Sequence, residues 1–277
     1  MPRGDPYLPQ SPISNISKSF ILQRLLIFTG LFISTGLLVI LTNVQSFAIF
    51  PTSHTPSTPT SLPLPQLHPL PPTLAQWQDQ TNSGDYFSQV APTQVGYLIW
   101  SQFPVKVYIE TPQAIDAKQA QAWVQNVLQA VQEWNTYLPL QIIENQKLAD
   151  ITIIRKNPPL QKLPNSKIPR ARSAQTTYKL YKNQAILYHN FTILLSPSQT
   201  GIYLIAAARH ELGHALGIWG HSQVQSDALY FSQVSNPAPI SVRDVNTLKR
   251  VYEQPTSLGW ASHKGKRNLL RELGPPG

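Results

Sequence analysis

Residues His210 to Ser222 read HELGHALGIWGHS. On a helix, His210 and His214 stand four positions apart and project from one face, one turn above the other. Two neutral imidazoles so placed can grip one zinc ion at about 2.0–2.1 Å per nitrogen. Glu211, beside the first histidine, points near the open side of such a metal. There it can take a proton from a zinc-bound water that attacks a polarised carbonyl. Gly217, just past the second ligand, can adopt the left-handed conformation that ends a helix and turns the chain back. That return carries His221 toward the same metal. Three of the chain's seven histidines fall within this stretch. The predicted site is therefore Zn2+ on His210, His214 and His221, with Glu211 as the general base. If His221 falls short, Asp227 is the next carboxylate within reach.

Working outward, Gly201 to Ala208 (GIYLIAAA) reads as a buried helix leading into the ligands. Upstream, Val105, Val107 and Ile109 alternate with Lys106, Tyr108 and Glu110, the pattern of a strand with one solvated face. Asp116 to Tyr137 reads as a long helix, with Trp123, Val127, Val131 and Trp134 at helical spacing and Val124 and Leu128 widening the stripe. Such a stripe is a core face. Ile151 to Ile154 is a short β-branched run that suits an inner strand. Ala171 to Tyr181 and Ala185 to Leu195 read as a hairpin turning around Lys182-Asn183-Gln184. Ser241 with Asp244 resembles a capping box opening a last helix, Val242 to about Glu253.

His210 to Ser222 resembles the zinc-binding consensus of the metzincins, and its HELGHALG part is most similar to a bacterial matrixin-like peptidase. Ala228-Leu229-Tyr230 resembles the Met-turn region of that family, and Ile240 to Tyr252 its C-terminal helix. The resemblance covers about residues 95–257. It implies an α+β, zincin-like catalytic domain: a twisted mixed β-sheet with a long backing helix and an active-site helix. It also implies a zinc metallopeptidase that binds an extended peptide by adding it as a strand to a sheet edge, for which Ala171 to Leu180 is the candidate. Two departures stand out. Three residues (Ile218, Trp219, Gly220) separate Gly217 from His221 where the family has two, and Gly220 can absorb the extra one as a bulge. Leu229 replaces the Met-turn methionine, a swap of similar volume that usually costs under about 1.5 kcal/mol. Tyr230 is expected to be a wall of the cleft rather than a ligand. Matrixins carry structural metal sites near His189, but no acidic residue occurs between Asp150 and Glu211, so His189 is read as an ordinary strand histidine.

The N-terminal third has a different character. Leu25 to Leu41 is an uncharged apolar run of 17 residues, the lower limit for a spanning helix. Arg3, Lys18 and Arg24 precede it and no Lys or Arg follows until Lys106, which places the N-terminus inside and the rest of the chain outside. The run is either a signal peptide, with Ser46-Phe47-Ala48 as small residues for cleavage, or a retained membrane anchor. The chain has 26 prolines against 13 glycines. Many of them lie in a Pro/Ser/Thr-rich stretch that favours a semi-rigid spacer. With no cysteine, the exported domain must be held by its own core. A thiol that blocks the metal is excluded as well.

The net charge of +9 is concentrated. Lys147, Arg155, Lys156, Lys162, Lys167, Arg170, Arg172, Lys179 and Lys182 are interrupted only by Asp150. This run is either a solvated face or an attraction for an anionic envelope surface or an acidic substrate. No recognition motif points to nucleic acid.

The expected organisation is an N-terminal segment with signal or anchor (1–48), a linker (49–76), a zinc metallopeptidase domain (77–258) and a basic tail (259–277). The expected function is an exported endopeptidase acting on a peptide or protein substrate. The rivals are a non-catalytic zinc domain of the same fold used for envelope binding or assembly, and a zinc amidase acting on wall components.

Overall fold

Alternation of apolar and polar residues sets the sheet. In the computed structural model, residues 62–162 and 168–262 are described, and they belong to one unit, Pro59–Gly277. Strands Val105–Ile109 (β1), Leu140–Ile142 (β2), Ile151–Arg155 (β3), Ala174–Asn183 (β4) and Ile186–Leu195 (β5) form one mixed sheet in the order β2-β1-β3-β5-β4. The first four in that order run parallel, and β4 pairs antiparallel with β5 at the edge. β3 is the central strand, and its Ile151 and Ile153 are fully buried. Along β5 every second residue is buried: Leu187, His189, Phe191, Ile193 and Leu195. The fold is α+β.

The hairpin turns one residue later than its sequence suggests. Asn183 pairs with Ile186, so Gln184 and Ala185 form the two-residue loop, both with positive φ (49° and 69°). That backbone matches the right-handed twist of the flanking strands, and the sheet register imposes it on residues that do not favour it.

Among the described residues, four α-helices accompany the sheet: Pro72–Gln76 (α1), Ala117–Asn135 (α2), Gly201–Leu216 (α3) and Val242–Tyr252 (α4). Asp116 caps α2 by accepting a hydrogen bond from the Gln119 amide at 3.0 Å. The stripe on α2 is core, with Trp123, Val127, Val131 and Trp134 buried. It holds α3 directly: Trp134 Nε1 donates to the Arg209 carbonyl at 2.8 Å, and Arg209 forms a two-point ion pair with Glu133. At its C-terminal end, α3 has otherwise unpaired carbonyls. Trp100 Nε1 bonds Ala215 O at 2.9 Å and Tyr252 Oη bonds Leu216 O at 3.0 Å. The capping box of α4 is present, with Ser241 and Asp244 bonding each other's amides.

Three expectations are corrected. The spacer drawn over 49–76 ends earlier, because Pro63, Pro71 and Leu74 are buried and Gln66 pairs with Thr256; apolar side chains hidden among prolines anchor residues 62–76 to the domain. The tail drawn from 259 begins later, since Leu187 N bonds Trp260 O and Ser262 N bonds Ala185 O beside β5. The start of α3 is not buried throughout: Ile202 and Tyr203 are exposed, and only Leu204 and Ala208 of that stretch are buried. The apolar run at 25–41, Lys167 and the tail beyond 262 lie outside the described residues. Among the described residues no helix is long and apolar enough to cross a membrane.

His189 packs between Trp100 (ring centroids 4.2 Å) and Phe191 (5.1 Å), with its buried Nε2 unpartnered. Burial pushes its pKa down to about 3, so the folded protein holds it neutral. As pH falls below the unfolded value of about 6.5, the unfolded chain takes a proton that the native one refuses. Stability is therefore lost between about pH 6.5 and 3. In urea unfolding across pH 6.5 to 4.5, the native sequence should lose up to about 1.4 kcal/mol more per pH unit than His189→Leu. Equal slopes would mean that His189 is not held neutral.

Candidate metal centre

Helical spacing and one tight turn bring three histidines together. The candidate ligand nitrogens of His210, His214 and His221 all lie within 4.8 Å of one another. His210 and His214 share a face of α3, and their Nε2 atoms are 3.1 Å apart. His210 Nδ1 lies 2.9 Å from the Ala228 carbonyl and His214 Nδ1 lies 2.7 Å from that of Ile218. A carbonyl can only accept, so each Nδ1 carries a hydrogen and each ring turns its Nε2 inward. Two Nε2 atoms 3.1 Å apart can share either a proton or a metal ion between them. A third imidazole beside them makes a metal ion the suitable cation, and these three histidines can bind one.

The stretch from Gly217 to His221 turns back through tight local bonding. Gly217 ends α3 at φ 134°, Trp219 N bonds Gly217 O, and Gly220 N bonds Ile218 O. Gly220 then lies against the backbone of 89–90, bridging Val90, and a Cβ there would sit 2.1 Å from Gln89 O. Only glycine allows this approach. His221 is thereby turned back over the other two rings, 5.2 Å from that of His210 and 4.8 Å from that of His214. Trp219, between them in sequence, packs edge-on against Tyr178 of β4 and near His214. Burial and the neighbouring His210 push His221 down to about 4, while burial above all pushes His214 well below the usual imidazole range. Both are neutral, as metal ligands must be.

Glu211 is buried on the same helix. Burial raises its carboxyl, opposed by His210 and by a short hydrogen bond from Thr176 Oγ1 of β4, 2.6 Å from Oε2. The same hydroxyl lies 3.1 Å from the Glu211 carbonyl. The cluster opens into a cleft of about 720 Å³. One wall is the run Ala171–Thr176, which leads into β4, and the outer edge of β4 has no partner strand among the described residues. Ala206 and Ala207 of α3 line it, and their small side chains leave it open. Tyr230 and Phe231 form another side.

Beneath the cluster, Leu229 is fully buried. A Cβ on Gly213 would meet Leu229 Cδ2 at 2.6 Å and Trp134 at 3.1 Å. The turn that carries Leu229 hangs on Asp244, whose Oδ2 accepts from Ala228 N at 2.8 Å and Ser241 N at 2.7 Å. Tyr86 donates to its Oδ1 at 2.5 Å. Asp227 is no ligand: its buried carboxylate accepts from Ser222 Oγ, Ser241 Oγ and Arg243 Nε.

Sequence reasoning passed over Thr176, Trp219 and the second role of Asp244. Thr176 had a signal, since it shares the inward parity of Tyr178 and Leu180 along β4. No protein-family model and no curated protein matches this chain.

Gly220→Ala should keep the fold and displace His221, weakening Zn2+ or Co2+ binding about 10–100-fold in a chelator competition. Unchanged affinity would show that this close approach does not set the third histidine.

Proposed function

We propose that this chain is an exported zinc metallopeptidase of the zincin-like, metzincin type. The observation that carries the reading is the inward-facing histidine trio with Glu211 beside it, on a cleft bordered by an unpaired strand edge. The 3.1 Å between the His210 and His214 Nε2 atoms is near the roughly 3.3 Å that two tetrahedral zinc ligands at about 2.05 Å would span. All-imidazole donors with an open side suit a catalytic zinc rather than a closed structural one. When bound, zinc supplies a Lewis acid that polarises the scissile carbonyl and makes water acidic.

The chain's own residues do the rest. The edge of β4 pairs with the substrate main chain and fixes the scissile bond over the histidines. Glu211 takes the proton lost by the attacking water and passes it to the departing amine. Thr176 holds the Glu211 carboxylate in one orientation through its hydroxyl. The apolar N-terminal run and the charges before it support a domain outside the cytoplasm, secreted or tethered by that run.

The deciding comparison is peptide cleavage by the zinc-loaded protein and by Glu211→Ala. The variant should bind zinc equally and lose about 10²–10⁴ in rate. Zinc held by both with no cleavage of any peptide pool would point instead to a binding domain.

A further inference from the structure

The charge inside the cleft is one-sided. Among the residues lining it, the acidic ones are Glu211 and Asp227. Glu211 is hydrogen-bonded by Thr176 and feels the positive charge of Arg172 without pairing with it, and Asp227 is buried under Ser222, Ser241 and Arg243. Arg170 and Arg172 line the same cleft, and neither forms an ion pair among the described residues.

The fold holds these arginines in place. Gln161 and Arg170 exchange both backbone hydrogen bonds at 2.8 Å, making a small ladder on the cleft rim just before β4. Arg172 Nε donates to Gln161 Oε1 at 3.2 Å. That bond orients the guanidinium and leaves its two terminal nitrogens for a ligand, the fork that suits a carboxylate. Arg172 is half-buried, so an ion pair there is less screened than one on open surface. Arg172 lies two residues before β4 and four before Thr176, and both line the cleft, so a peptide laid along this edge passes the two in turn.

We propose that the cleft selects peptides bearing an acidic side chain, gripped by Arg172 with Arg170 beside it, within about four residues of the bond cleaved. This rests on the peptidase reading and adds the substrate class. The main-chain pairing along β4 is indifferent to side chains, so a fixed guanidinium is what supplies the preference.

The test uses the full chain and two matched pools of labelled peptides, one with Glu at a scanned position and the other with Gln. Binding is followed by fluorescence anisotropy on Glu211→Ala, and cleavage on the native sequence. At one or two positions the Glu peptide should bind about tenfold tighter and be cleaved with a correspondingly lower KM. The advantage should shrink with added salt and vanish in Arg172→Gln, while Arg172→Lys keeps part of it. Equal binding of Glu and Gln peptides at every position, or a Glu preference that survives in Arg172→Gln, overturns the proposal while leaving the peptidase intact. A Glu preference in binding without any cleavage supports the acidic-ligand site and removes the peptidase reading.

Discussion

Asp244 is the interaction on which the centre depends. It is fully buried, and burial raises its carboxyl against the pull of the bonds it accepts from Tyr86, Ser241 and Ala228. An unpaired carboxylate there would be costly, so the donors and the acid require one another. Through them one side chain starts α4, fixes the Ala228–Leu229 turn and ties down the segment that carries Tyr86. The Ala228 carbonyl then orients His210. A ligand on one helix is thus aimed by the first turn of another.

The second constraint is steric. Gly213 leaves room for Leu229 and Trp134 directly under α3, so the floor of the centre and the backing helix meet there. Arg209, one residue before the first histidine, locks that helix to Glu133 and to the Ala238 carbonyl. His210 and His214 therefore project from a helix held from below, from behind and at its end, which is the preorganisation a metal site requires.

The elements that are periodic were legible in the sequence. The stripe on α2, the alternation in β1 and the Ser241–Asp244 box each follow from spacing alone, and the pair at 210 and 214 needs only the helical repeat. What was hidden depended on contacts distant in sequence. Leu74 looked like spacer because its neighbours are prolines, and only the core it fills reveals it. Ala206 and Ala207 looked buried because alanine suits both a core and the lip of a cleft. Gly220 advertised flexibility, whereas its use is a backbone approach to Gln89 that no local pattern encodes. Thr176 acts across 35 residues of chain.

Leu229 in the floor has a chemical consequence as well as a packing one. The chain contains no cysteine, and its one methionine is Met1. Oxidation of a buried thioether to a polar sulfoxide is a common way for a packed floor to fail. Here that route is closed, because neither the support under the histidines nor the sheet core contains sulfur. The floor of this centre lacks the point of attack that a methionine in the same place would offer to peroxide.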